Sequence, residues 1–191
     1  MRKVEPDEFR NLQYEMLKEI HKYTEAHGLT YFLSAGTLLG AVRHQGFIPW
    51  DDDVDIIMPQ PDFEKLMREY SSDKYEVIWC YNSKETEFVF GRLYDKRTCC
   101  QTGRYRGLGL FIDIYVIFGV PETKELQLER FRRAFKYLPW RIRLSSLRSK
   151  MVRLGLWPKK SLDFNLLNFT CRKMYEELAK YEYNDSQFIH P

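Results

Sequence analysis

The stretch IPWDDDVDI, residues 48–56, puts four carboxylates into five positions between a Pro-Trp pair and an apolar run. On a solvated loop such a cluster would need no explanation. Here it flows into Val54, Ile56, Ile57 and Met58, which read as the start of a core strand. Alternate side chains of a strand share a face, with same-face Cα atoms about 6.5 Å apart. Asp51, Asp53 and Asp55 then tend to one side while Val54 and Ile56 point into the core. Carboxylates crowded on one face repel and raise each other's pKa unless a cation sits between them. A solvated strand edge is the plain alternative, and Trp50 and the run to Met58 argue against it.

Working outward, the chain reads as α/β. Phe9, Leu12, Met16, Leu17, Ile20 and Tyr23 keep the spacing of one helix face over residues 6–27, and Gly28 is a helix stop. TYFLSAG reads as a short strand breaking at Gly36, TLLGAVRH as a short helix, and DVDIIMP as a strand closed by Pro59 and Pro61. A helix over 62–71 follows, then strands at YEVIWCY, EFVFGRLYD and GLFIDIYVIF. After Pro121 the pattern is helical to Tyr183. The expected organisation is a core over 1–121 and a basic helical C-terminal region over 122–191.

Asp113 strengthens the metal reading. It lies between Ile112 and Ile114 in the segment most like a central strand, where an unpaired buried carboxylate is costly. A salt bridge to an Arg would satisfy it. The sharper expectation is that Asp113 joins Asp53 and Asp55 from a neighbouring strand. Three oxygen ligands completed by water and phosphate suit Mg²⁺ or Mn²⁺. An EF-hand is excluded, because its sixth position needs Gly and holds Ile56, while Pro59 and Pro61 block the helix exit. Upstream, Gly36 and Thr37 open a helix whose N–H groups could bind phosphate. Arg43 and His44 close it, and Gly46 turns the chain back towards the acids.

Composition bounds the alternatives. The 191 residues are 44% apolar, 16% aromatic and 30% charged, the profile of a globular protein. LFIDIYVIFGV is too short to span a bilayer and carries an Asp. Four cysteines without CxxC spacing argue against a zinc ribbon and fit a reducing cytoplasm, and no apolar leader follows MRKVEPDEF. The expected location is therefore cytoplasmic, with peripheral contact at the inner membrane face. Residues 122–160 carry twelve Lys or Arg against three Glu. There Leu128, Phe131, Phe135, Leu138 and Ile142 keep a three-four spacing, continued after a slip by Leu144, Leu147, Met151 and Leu154. Such an arm could pack its stripe on the core, or turn its cations towards an anionic membrane or a phosphate-bearing glycan. No nucleic-acid motif accompanies the charge.

SAGTLLGAVRHQGFIPWDDDVDIIMP, followed by GRLYDKRT and GLFIDIYVIFGVP, resembles the LicD family of phosphotransferases. This is a branch of the nucleotidyltransferase superfamily related to fukutin-type ribitol-phosphate transferases. The resemblance covers roughly residues 5–121. It implies an α+β nucleotidyltransferase-like core, a mixed sheet with flanking helices, carrying a C-terminal helical arm. It also implies that Gly36 and Thr37 form the phosphate turn, Asp53 and Asp55 the D-x-D pair, and Asp113 the third acid. Asp51, Asp52 and His44 are expected around that set. Arg92 and Lys96, on one face of GRLYDK, are expected to supply cations to a leaving CMP. The implied reaction takes phosphocholine or a polyol phosphate from a CDP-linked donor to a sugar hydroxyl of a cell-surface glycan. Family members continue into a Pro- and Tyr-rich segment that these residues do not contain, so 122–191 is read as ending short of the family pattern. A D-x-D glycosyltransferase and a non-enzymatic binder acting through the basic arm are the rival readings.

Overall fold

Helix α1 (Pro6–His27) forms where the apolar spacing is helical and stops at Gly28, whose φ of 62° is left-handed. Its most buried line is Gln13, Met16, Ile20 and Thr24, so two polar residues sit on the core face. Thr24 donates to the Ile20 carbonyl within the helix (2.9 Å). Gln13 instead reaches out of the helix, as described below. The computed structural model describes residues 6–83, 86, 88–99, 109–154, 163–186 and 188–190.

The described residues fall into two units, one within Met1–Ile78 and Phe90–Ile117, the other within Trp79–Val89 and Phe118–His190. The first contains β1 (Phe32–Leu33), α2 (Ala35–His44), β2 (Asp55–Pro59), α3 (Gln60–Glu69), β3 (Tyr75–Ile78), β4 (Gly91–Asp95) and most of β5 (Phe111–Val120). Its sheet runs β1-β2-β5-β4-β3. The β2–β5 pair is parallel and the other neighbours are antiparallel, giving the mixed α/β sheet of a nucleotidyltransferase-like fold. One face of the central strands forms the core, with Ile56, Met58, Leu93, Ile112 and Ile114 fully enclosed. Amphipathic α3 lays Phe63, Leu66 and Met67 on this sheet. A Cβ at Gly91 would lie 2.5 Å from the Met67 methyl carbon, so the Met67 and Phe63 side chains use the space that Gly91 leaves.

The second unit is mainly helical, with α4 (Lys124–Phe135), α5 (Leu138–Arg153) and α6 (Asp163–Leu178). Thr123 caps α4 by accepting from the Leu126 N–H. The chain breaks between α4, which ends at Phe135, and α5, which begins at Leu138, while the slip in the apolar spacing between Ile142 and Leu144 lies inside α5. Strand β6 (Phe188–His190) pairs antiparallel with Phe118–Val120 of β5. Arg130 is buried in α4 and donates to the carbonyls of Gly119 and Leu178. Asn168 on α6 donates to the Cys80 and Ser83 carbonyls at 2.9 and 2.8 Å, which ties residues 79–89 into this unit.

Candidate functional site

The register of the sheet assembles the charged residues. Asp55 on β2 lies opposite Asp113 on β5, and Asp113 lies opposite Arg92 on β4. Arg92 is 4% exposed. Its Nε donates to Asp113 Oδ1 at 2.5 Å and its Nη2 to Oδ2 at 3.3 Å, while its guanidinium stacks 4.0 Å above the Phe111 ring. Asp113 thus has the arginine partner that its apolar flanks called for, and it also borders Asp55. Burial pushes the Asp113 carboxyl above the usual carboxylate range, and Arg92 opposes that shift.

Asp55 has no such compensation. It is 9% exposed, and its Oδ1 is buried without a hydrogen-bond partner. Burial first, then the charges of Asp53, Asp113 and Asp51, push its pKa up to about 6, with Arg92 offsetting only part. Asp53 is raised for the same reasons, burial first and Asp51 next. The strand begins only at Asp55, so Asp51–Val54 approach it as a loop rather than in strict alternation. That loop brings carboxylate oxygens of Asp51, Asp52 and Asp53 within 4.8 Å of one another. Among the described residues this is the acid group that converges so closely, and Asp55 and Asp113 extend it along the sheet.

Two residues of α1 hold this loop, and neither stood out in the sequence. Arg10 donates to the Pro49 carbonyl, and Gln13 Nε2 donates to the Asp52 carbonyl at 3.1 Å. The signal for Gln13 was a polar residue inside the apolar line of a helix. Tyr115 also went unmarked, although it follows Asp113 by two and so shares its strand face. Burial, then Asp55 and Asp113, push its phenol up to about 12.

Helix α2 meets the acids at its first turn. Thr37 Oγ1 accepts from the Asp55 N–H at 2.8 Å, fixing the start of β2 against the helix. Chain entry to the helix runs through Ala35 in the left-handed region, at φ 45°. A non-glycine residue there is strained, as backbone at functional turns often is. A Cβ at Gly36 would lie 2.3 Å from Asp51 Oδ2, so the missing side chain leaves room for a carboxylate against the helix start. That is the anion position the sequence reserved for phosphate. At the other end, Arg43 is exposed in the last turn, while the His44 ring meets Trp50 edge-on at 6.4 Å. The sheet brings Arg92 to the acids but not Lys96, whose ammonium donates to the Ser72 carbonyl at 2.7 Å.

An open carboxylate oxygen, several acids at one strand end and a helix start beside them form a setting for a cation and a phosphate. The description LicD/FKTN/FKRP, nucleotidyltransferase domain, matches residues 28–138, more than half of the chain. The chain belongs to this family. A lipopolysaccharide cholinephosphotransferase LicD of Haemophilus influenzae is 27% identical over 190 residues, spanning 95% of this chain and 69% of that protein. An uncharacterized protein of Rickettsia prowazekii is 51% identical over 69 residues, 26% of its own length. The ribitol 5-phosphate transferase FKRP of Homo sapiens is 50% identical over 44 residues, only 9% of its length. The family's matched region thus contains every site residue named from the resemblance.

Proposed function

We propose that this LicD-family protein transfers a phosphorylated head group, phosphocholine or a polyol phosphate, from a CDP-linked donor to a sugar hydroxyl of a cell-surface glycan. Support comes from relatives named as a cholinephosphotransferase and a ribitol 5-phosphate transferase. The observation that carries the reading is the Asp55 oxygen, buried without a partner among the described residues and under the charges of Asp53 and Asp113. Such a group fits Mg²⁺ or Mn²⁺, for which carboxylate oxygens are the preferred ligands.

Asp53, Asp55 and Asp113 would hold the ion. When bound, it neutralises charge on the donor diphosphate as the phosphorus–oxygen bond breaks. Arg92 favours the charged form of Asp113 against its burial and fixes its orientation, and each Asp113 oxygen retains a lone pair beyond the arginine. Thr37 holds the Asp55 backbone in place. Gly36 admits a donor phosphate to the first turn of α2, at the place Asp51 now takes. The sugar hydroxyl attacks phosphorus and loses its proton to an acid of the cluster, while CMP leaves with the bonding pair.

Thermal unfolding in the presence of CDP-choline, CDP-ribitol, CTP and a UDP-sugar, each with and without Mg²⁺, tests the reading. A CDP conjugate is expected to raise the midpoint only with metal. Stabilisation by the UDP-sugar alone would move the protein to the D-x-D glycosyltransferases.

A further inference from the structure

The arm's apolar stripe is not packed away. In α5, Trp140, Leu144, Leu147 and Met151, and Leu154 just past its end, repeat at four- and three-residue steps, so they line one side of the helix over about 21 Å. Trp140 is 63% exposed, Leu147 54% and Leu154 69%. Leu144 and Met151 between them are half-buried. Helix α5 packs against α6 and Arg141 is half-buried, while Trp140, Leu147 and Leu154 lie outside. Arg143 and Lys150, both exposed, border the stripe on its far side. From Arg130 to Leu154 the chain holds nine Lys or Arg and no acid.

We infer that α5 is an interfacial helix that seats Trp140, Leu147 and Leu154 in the headgroup region of an anionic lipid bilayer. The inference stands apart from the transfer reaction. Three properties of this surface select a bilayer. No acid accompanies its cations in the sequence from Arg130 to Leu154, so it attracts a surface of uniform negative charge. Its apolar side chains lie beside those cations, which lets charged heads meet phosphates while the stripe enters the acyl boundary. Its most exposed aromatic is Trp, whose apolar body and polar N–H suit the interface. A second copy on the same face would oppose cation to cation. No helix among the described residues is long and apolar enough to cross a membrane, so α5 would lie on the surface.

This differs from electrostatic attraction alone, in which only cations face the lipid. The test compares sedimentation of the full chain with phosphatidylcholine vesicles and with vesicles holding roughly 30% phosphatidylglycerol. Wild type is expected to bind the anionic vesicles and to retain part of that binding at salt on the order of 0.5 M, where surface charge is screened. Trp140→Ser/Leu147→Ser/Leu154→Ser should lower partitioning roughly tenfold or more at both salts. Arg143→Gln/Lys150→Gln should lower only the salt-sensitive part. Brominated acyl chains should quench wild-type tryptophan fluorescence more than that of Trp140→Phe. Absent vesicle binding, or a triple variant that binds like wild type, would overturn the inference. So would a wild-type dimer that the triple variant dissolves, since the stripe would then be a protein interface.

Discussion

The acidic end of β2 and the outer side of α5 depart from the usual partition of residues in opposite directions. At β2 a carboxylate is inside, with an oxygen that nothing in the described protein satisfies. At α5 a Trp and two leucines are outside, among cations with no acid near in sequence. Elsewhere the same residue types are settled. Asp95 is fully buried, yet it accepts from the Arg97 backbone and from two guanidinium nitrogens at 2.7 to 2.9 Å. Arg92 is buried and holds Asp113. On the proposed function, the open Asp55 oxygen is the position kept for a cation. Exposed apolar side chains on α5 point to a partner in the same way, one that is apolar beneath and anionic above.

Removing the open acid separates ligand chemistry from folding most sharply. Asp55→Asn should lower head-group transfer by about a thousandfold or more, the scale of a lost electrostatic stabiliser of the transition state. Its urea midpoint without metal should hold or rise, because a repelled charge has gone. A variant that unfolds early would make Asp55 a structural residue and erase the contrast with Asp95.

Asp113→Asn should behave differently. Arg92 would remain buried without its carboxylate, and breaking a buried pair costs about 3–5 kcal/mol. Equilibrium unfolding measures this. Replacing both partners, Arg92→Met with Asp113→Asn, should recover much of the loss, and no recovery would mean that the pair is not coupled.

A smaller effect lies in the pH dependence of the metal-free protein. The folded pKa of Asp55 is raised to about 6, so its contribution is fully present below the unfolded value near 4 and is lost as pH rises through 6. Unfolding free energy in EDTA should therefore fall by roughly 3 kcal/mol between pH 4 and 7, from two units at about 1.4 kcal/mol each. Asp53 adds to the fall with the same sign. Asp55→Asn should flatten most of the slope, and an unchanged slope would place its origin elsewhere. The smallest effect is expected on the other side of the comparison. Leu147→Ser should shift stability by no more than about 0.5 kcal/mol, as surface substitutions do. A loss of several times that would mean that the stripe is buried in solution.

Much of the first unit could be read from local pattern. The α1 spacing, the Gly28 stop and the two central strands are set by periodicity and by a residue that tolerates positive φ. Choosing Asp113 as a site residue needed only its apolar flanks. Its partner could not be chosen, because alternation within a strand does not say which strands are neighbours or in what register. That register gives Asp113 both Asp55 and Arg92, while Lys96, four residues beyond Arg92, turns to Ser72. Strand β1 has two residues and β6 three, too few for a period to show. The tie of Cys80 and Ser83 to Asn168 joins residues more than eighty apart, and no local signal marks it. The break between α4 and α5 left no trace in the apolar spacing, since Phe135 and Leu138 keep a three-residue step across it. Exposure of the stripe depends on tertiary packing and left none.

A Mg²⁺ titration of the metal-free protein at pH 7, with thermal unfolding of wild type and Asp55→Asn side by side, bears most directly on the acid cluster as a cation seat. Wild type should gain several degrees in Tm as the ion binds the folded state, and Asp55→Asn should gain little or nothing. Equal gains in both proteins, or none in wild type, would contradict a divalent ion held at Asp55.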